Sequence, residues 1–432
     1  MPTFDHLAKS DPTTYALVAE QVRQEATTLK LIASENFVSF AVLEATGSIF
    51  TNKYSEGYPG ARYYEGTEIA DRLERLAIDR LKGLFGAEHV NVQPYSGSPA
   101  NQAVCRAVLK HGDTVMGLPV PQGGHLTHGW GVNFSGADYR SVPYGLHADT
   151  ERIDYDQMRE TALRERPKLI WVGGTAYPRL FDYEAAASIA AEVEAYLVAD
   201  IAHISGLVAG GAVPSPVPHC DIVSSTTHKT LRGPRGGIIL SKIEDRYQAK
   251  YHSHTKFNLA RRIDRAVFPG LQGGPHLNSI AALAVALNEA GQPAFKAYAH
   301  QIVKNAKAFA EALLARGYRL TSGGTDNHLL IVDLRAHPES GKVYAKALAD
   351  AGLITNFNTV PNDPRPPSVS SGIRMGTAGV TSMGMVEADM DLIAGWFHRV
   401  CSAPADAAVH AAVRGEVAEH CGKFTIPGIR EV

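Results

Sequence analysis

The feature that most restricts what this chain can fold into is an alternation. Short β-branched or apolar runs at 168–172, 195–199, 221–225 and 237–240 are separated, for the most part, by segments of helical spacing. Strands that alternate with helices bury their apolar faces by placing the helices on both sides of one sheet, which predicts an α/β architecture with a largely parallel sheet. Helical spacing at Ile69, Leu73, Leu76, Ala77 and Leu84 predicts a core-facing helix ahead of it. Residues 1–25 read as an amphipathic helix on an arm. From about 279 to 315 the pattern is helical and alanine-rich; a strand at 328–334, a helix at 341–351 and a proline-rich loop at 360–367 follow. We expect an arm over 1–25, a large α/β domain over 26–285 and a smaller C-terminal α+β domain over 286–432. A chain of 432 residues, 45% hydrophobic, can bury that much core.

A net charge of −2 gives no basic stripe for nucleic acid or an anionic membrane. No apolar run is long enough to span a bilayer, and Met1 to Asp5 do not begin a secretory signal. Four separated cysteines, Cys105, Cys220, Cys401 and Cys421, form no CxxC pair, so reduced thiols and a cytoplasmic location are expected.

Three segments carry chemistry. Around Lys229 a strand ends in hydroxyl residues, followed by His228, Lys229 and a glycine-rich turn. A lysine at a strand end can be desolvated enough to form a Schiff base, although alone it also reads as a surface lysine. Asp200 closes the apolar run from Tyr196, where open α/β sheets hold ligands. Alone it is equally a helix N-cap. With the lysine 29 residues on, it becomes the anion that pyridoxal phosphate needs against its pyridine nitrogen. His203 would stand beside the ring. Tyr95 to Asn101, between a short strand and a helix, offers small residues and free N–H groups for a phosphate. This order, with phosphate cradle, strand-end aspartate and lysine, is that of fold-type I pyridoxal-phosphate enzymes.

Longer strings then carry a resemblance. Leu-Ile-Ala-Ser-Glu-Asn at 31–36, Asn-Lys-Tyr-Ser-Glu-Gly-Tyr-Pro-Gly at 52–60, Gly-Gly-His-Leu-Thr-His-Gly at 123–129, Asp-Ile-Ala-His-Ile-Ser-Gly-Leu at 200–207, Thr-Thr-His-Lys-Thr-Leu-Arg-Gly-Pro-Arg-Gly-Gly at 226–237 and Ser-Gly-Ile-Arg at 371–374 are similar to serine hydroxymethyltransferases. The resemblance implies the fold-type I (aspartate aminotransferase-like) fold, pyridoxal phosphate on Lys229 and tetrahydrofolate as one-carbon acceptor. It implies that Asp200 pairs with the ring nitrogen, His125 stacks on the ring, and Ser96, Gly97, Ser98, Thr226 and His228 hold or flank the phosphate. Thr175 and His203 would line the cofactor, and Arg374 with Ser34 would hold the substrate carboxylate. Lys229, Glu56, His228 and Tyr64 would carry the catalysis. Tyr54, Glu56, Tyr64, Gly273 and Gly274 would come from a neighbouring subunit of a homodimer or dimer of dimers. Glu56, Tyr63, Val120, Gly124, Leu126, Asn358 and Ser368 would meet folate. His125 and His128 are spaced for a metal, but with no third ligand in view no metal is expected.

The departures from the family cluster where it holds folate. Ser368 stands where a Phe is usual, Phe357 interrupts Asn356 and Asn358, and Val120 replaces a Leu. Trp130-Gly131 replaces Ser-Pro, and Met383 lies in an altered run. Extra sequence spans 251–262, and its His and Arg side chains are expected to cover the site entrance. Two activities are therefore expected from the same retro-aldol chemistry at Cα–Cβ. One is serine–glycine interconversion with tetrahydrofolate. The other is a folate-independent threonine transaldolase or aldolase, or an α-substituted-serine hydroxymethyltransferase, passing a glycyl carbanion to another aldehyde. A silent regulatory subunit is opposed by the intact Lys229, Asp200, Glu56 and Arg374.

Overall fold

The computed structural model describes residues 4–429. The expected arm is two helices, α1 (Asp5–Ser10) and α2 (Pro12–Thr27), separated at Asp11, whose carboxylate accepts from the Thr13 and Thr14 N–H groups. Residues 1–3 of that arm, and 430–432 of the expected C-terminal domain, lie outside the described residues. Neither helix buries a residue.

Seven strands form the main sheet: β1 (His89–Asn91), β2 (Thr114–Gly117), β3 (Arg140–Pro143), β4 (Leu169–Gly173), β5 (Tyr196–Asp200), β6 (Ile222–Thr226) and β7 (Gly237–Ser241). Their order is β1-β7-β6-β5-β4-β2-β3, parallel except for β7, which is antiparallel to both neighbours. β4, β6 and β7 are buried throughout, because helices cover both faces. The sheet is therefore the mostly parallel α/β layer that the alternation predicts.

On these faces lie α3 (Glu68–Phe85), ended by Gly86 at φ +68°, α4 (Gly97–Val108), α5 (Leu259–Val267) and α6 (Leu277–Ala290). The expected single helical stretch breaks at Gly291, and Pro293 starts α7 (Pro293–Ala315). Phe295, Tyr298 and Ile302 of α7 belong to the main core; its Phe309 and Leu313 belong to a second core. That second core surrounds a four-stranded antiparallel sheet, β8 (Arg319–Leu320), β9 (Leu329–Asp333), β10 (Asn356–Asn358) and β11 (Gly372–Gly376), ordered β8-β9-β11-β10. Leu29 and Leu31 also join it, through the parallel pairing of Leu29–Lys30 with Leu353–Ile354. Among the described residues no helix is long and apolar enough to cross a membrane.

The segment at 251–262 does not cover a site entrance. Tyr251 donates to the Glu194 carbonyl just before β5, and the Lys168 amine sits over the Tyr251 ring just before β4. Arg262 bonds the buried Asp245, the Gln248 side chain and the Ala107 and Phe257 carbonyls. The segment thus braces the end where the parallel strands begin, opposite Asp200. Antiparallel β7 delivers the chain there.

Candidate active site

Parallel strands expose their last carbonyls and the loops after them at one end, and this chain places its chemistry there. The loops after β1, β2, β4, β5 and β6 carry Ser96, His125, Thr175, His203 and Lys229, and Asp200 is the last residue of β5.

Asp200 is nearly enclosed. His128 Nε2 lies 3.1 Å from its Oδ2, Asn101 Nδ2 donates to the same oxygen at 2.8 Å, and the Ala202 N–H donates to Oδ1 at 3.0 Å. Burial favours the protonated acid, but His128, His125 and Asn101 outweigh it and hold the carboxyl well below its usual range. His128 stacks on Trp171, with ring centroids 5.0 Å apart. His125 is fixed through Nδ1, 2.7 Å from Thr127 Oγ1, and burial lowers it to about 4, so its ring is neutral. His125, His128 and Asp200 bring ligand atoms within 4.8 Å of one another, so the third group absent from the local spacing comes from β5. His128 Nε2 and both Asp200 oxygens are engaged in the hydrogen bonds just described.

Lys229 is held by its carbonyl, which accepts from Asn36 Nδ2 at 3.0 Å; the same amide donates to the Tyr298 hydroxyl. Burial lowers its amine to about 8, opposed by Asp200 and assisted by Arg374 and Arg235. An amine so poised is a competent nucleophile near neutrality. His228 is lowered to about 3 by burial, and its Nδ1 is buried without a partner.

The cradle is close-packed. Ser96 precedes α4 without capping it, and a Cβ on Gly97 would lie 2.7 Å from Thr226 Cγ2. Ser98 is exposed in the first turn. A helix start without a side-chain cap leaves N–H groups free for an anion. Thr175 is half-buried, its N–H donating to the Gly123 carbonyl.

Arg374 comes from the other core, on β11. Its Nε donates to Asn356 Oδ1 at 3.0 Å and its Nη1 to the Thr175 carbonyl at 2.8 Å. It is 8% exposed, and among the described residues no carboxylate pairs with it. Burial alone lowers it to about 10. Ser34 is half-buried, next to Ala33.

The residues expected from a neighbouring subunit form their own group, with Tyr54 and Tyr64 exposed and Glu56, Gly273 and Gly274 half-buried. Tyr54 and Tyr64 hydroxyls each lie 3.4 Å from Glu56, whose charge raises the Tyr64 phenol. Gly273 and Gly274 lie against Tyr54 and Glu56; a Cβ on Gly273 would meet Glu56 Oε1 at 3.0 Å. Tyr63 is 74% exposed, with its ring on Phe268.

The folate candidates fall in two places. Val120, Gly124 and Leu126 line the loop after β2. Asn358 ends β10, its amide donating to the Thr359 carbonyl, and Ser368 is exposed beyond it. Met383, one of the departures, is instead a buried residue of the second core. The sequence reading missed Asn101, Thr127, His328 and the role of Asn356 as Arg374's partner; only the β10–β11 register, Asn356 opposite Arg374, gives the last away.

These observations fit pyridoxal phosphate: an enforced carboxylate for a ring nitrogen, a lysine near neutrality, an uncapped helix start, and buried histidine nitrogens without partners. A family model described as serine hydroxymethyltransferase matches residues 7–397. "Serine hydroxymethyltransferase 2" of Mesorhizobium japonicum is 69% identical over 425 residues, 98% of this chain and 97% of that one. Serine hydroxymethyltransferases of Acidothermus cellulolyticus and Sorangium cellulosum are 56% and 55% identical, each over 98% of this chain and 97% of their own. The chain belongs to the serine hydroxymethyltransferase family of fold-type I, pyridoxal-phosphate-dependent transferases.

Proposed function

We propose that the protein interconverts serine and glycine, moving a hydroxymethyl group between the serine Cβ and tetrahydrofolate. The observation that carries this is the buried Arg374 guanidinium without a counter-ion, close enough to Lys229 to depress its amine. A buried cation is costly until an anion reaches it, and an amino-acid carboxylate placed there puts the α-amine toward Lys229.

Pyridoxal phosphate, when bound, supplies the electron sink for breaking Cα–Cβ. Lys229 would hold it covalently, its amine lowered by burial enough to react near neutrality. Asp200, locked by His128, Asn101 and the Ala202 N–H, faces the ring nitrogen as an anion. His125 would cover the ring, Ser96, Gly97, Ser98, Thr226 and His228 would take the phosphate, and Thr175 and His203 would flank the ring. Arg374 and Ser34 fix the carboxylate and thereby turn the Cβ substituent. Glu56 exchanges a proton with the β-hydroxyl oxygen, within reach of the Tyr64 phenol.

Glu56, Tyr54, Tyr64, Gly273 and Gly274 act on the site of a second copy. Their clustering beside the 74% exposed Tyr63, whose N–H donates to the Glu56 carbonyl, supports a homodimer. Four free, buried cysteines fit a reducing cytoplasm. Tyr63, Val120, Gly124, Leu126, Asn358 and Ser368 are assigned to folate, and we place the division between the two domains along α7. The folate-independent reading is not favoured. Relatives matched over 97% of their own length are named serine hydroxymethyltransferases, and Met383, which suggested it, is a core residue.

The test is glycine formation from serine by protein loaded with pyridoxal phosphate, with and without tetrahydrofolate. Turnover that requires folate is expected. Acetaldehyde released from threonine, with serine untouched, would overturn the assignment.

A further inference from the structure

His328 is fully buried where the chain enters β9, and its backbone is pinned: Thr377 N–H donates to its carbonyl, and Asn327 Oδ1 accepts from the next N–H. Its Nε2 lies 3.1 Å from the Ala33 carbonyl oxygen and 3.3 Å from His203 Nδ1. A carbonyl oxygen only accepts, so Nε2 must carry hydrogen. His328 Nδ1 has no partner, and a hydrogen there would be a buried donor with nothing to meet. The Nε2 hydrogen is therefore shared between Ala33 O and His203 Nδ1, and His203 Nδ1 must be the bare nitrogen. Burial, with Lys229 and Arg374 nearby, opposes a positive charge on either ring, so each carries one hydrogen.

It follows that His203 carries its hydrogen on Nε2. That atom is buried, has no hydrogen-bond partner among the described residues, and belongs to a ring lining the same cavity as Asp200 and Gly174. The His203 backbone is fixed as well, since its carbonyl accepts from Thr230 Oγ1, which accepts from the Gly206 N–H. What remains to be set is the tautomer, and among the described residues only His328 bonds the nitrogen that sets it.

We infer that His328 is a positioning residue: by donating to His203 Nδ1 and Ala33 O together, it presents His203 Nε2–H to the cofactor and ties that donor to the Ala33–Ser34 segment. The inference rests on the activity proposed above, and its experiment separates the two. His328→Leu removes the donor at similar bulk; His328→Gln keeps an N–H near the position of Nε2.

In holoenzyme labelled with 15N-histidine, His203, assigned through the resonances lost in His203→Asn, should show a protonated Nε2 and a bare Nδ1. His328→Leu should make His203 a mixture of tautomers, shift the bound cofactor's visible band, and lower kcat about fivefold, the worth of one net hydrogen bond, with the serine KM changed less. His328→Gln should restore all three. A protonated Nδ1 on wild-type His203, a His328→Leu protein with unaltered tautomer and band, or a glutamine variant no better than leucine would overturn the inference. The wild-type tautomer and the glutamine variant decide it even where the leucine variant fails to fold. Absence of folate-dependent serine turnover in the wild type would sink the activity reading and leave the tautomer result standing.

Discussion

Arg374 permits a prediction in which stability and binding separate. Burial lowers this guanidinium to about 10, a cost of roughly 3 kcal/mol against its ordinary value. Replacing it with methionine removes that cost. It also deprives Asn356 Oδ1 and the Thr175 carbonyl of their donors, at about 1–3 kcal/mol each when nothing replaces them. The terms oppose one another, so Arg374→Met should leave the stability of the cofactor-free protein within about 2 kcal/mol of wild type. Breaking a buried ion pair would cost roughly 3–5 kcal/mol. Serine loses a charge-assisted pair worth about 3 kcal/mol, so its KM should rise by about 100-fold or more. Denaturant midpoints of the cofactor-free protein and serine saturation kinetics of the loaded enzyme provide the check. A variant that loses more than about 4 kcal/mol of stability while its serine KM stays put would show that Arg374 is a structural cation with a partner, and the argument from its missing counter-ion would fall.

The other predictions concern the cradle, the lysine and the exposed loop. Gly97→Ala puts a Cβ 2.7 Å from Thr226 Cγ2 and should weaken cofactor binding about tenfold, roughly the cost of modest overpacking. Thr226→Ser in the same chain removes that methyl and should recover most of the loss in a fluorescence titration. For Lys229 the folded amine gives up its proton near pH 8 and the unfolded one near 10.5. In that window this lysine binds more proton in the unfolded chain, so its own contribution to cofactor-free stability rises with pH, by at most roughly 3 kcal/mol, while the buried thiols and phenols, raised by burial, contribute in the opposite direction. The stability difference between wild type and Lys229→Met should therefore shift toward wild type as pH rises from about 8 to 10.5, and a difference that stays constant would mean that the amine is not desolvated. Arg62 pairs with Asp71 and the nearly inaccessible Glu74, and donates to the Ser55 and Gly57 carbonyls beside Glu56. Arg62→Leu leaves the buried Glu74 with only the Gln93 amide, while Asp71 keeps Arg75 and the Gly60 N–H, and should cost about 3 kcal/mol in urea unfolding; a loss under about 1 kcal/mol would contradict the pairing.

Which parts of this site are legible in the sequence follows from how far each signal travels along the chain. Asp200 and Lys229 announce themselves because each closes or follows a short apolar run, and the end of a parallel strand is a local property. The groups that give them their chemistry are not local. Asn101 and His128 meet Asp200 across 99 and 72 residues, and His203 meets His328 across 125, because the strand order carries the chain repeatedly between distant loops. A polar residue on a helix face, such as Asn101, looks the same whether it meets water or a buried carboxylate. The 251–262 segment, whose His and Arg side chains suggest a cover for the site entrance, is carried elsewhere by the direction of the strand before it. β7 runs the other way, between two strands it opposes, so its exit lies at the end where the parallel strands begin. Strand direction depends on which neighbours a strand pairs with, and no window of residues around 237–241 encodes that. Met383 fails for a related reason. An unusual residue near family motifs looks like altered specificity, yet its side chain is buried among Val380, Met385 and Ile393, where the demand is for volume. A departure bears on ligand choice only when its side chain reaches the cavity, and that depends on packing between elements far apart in the chain.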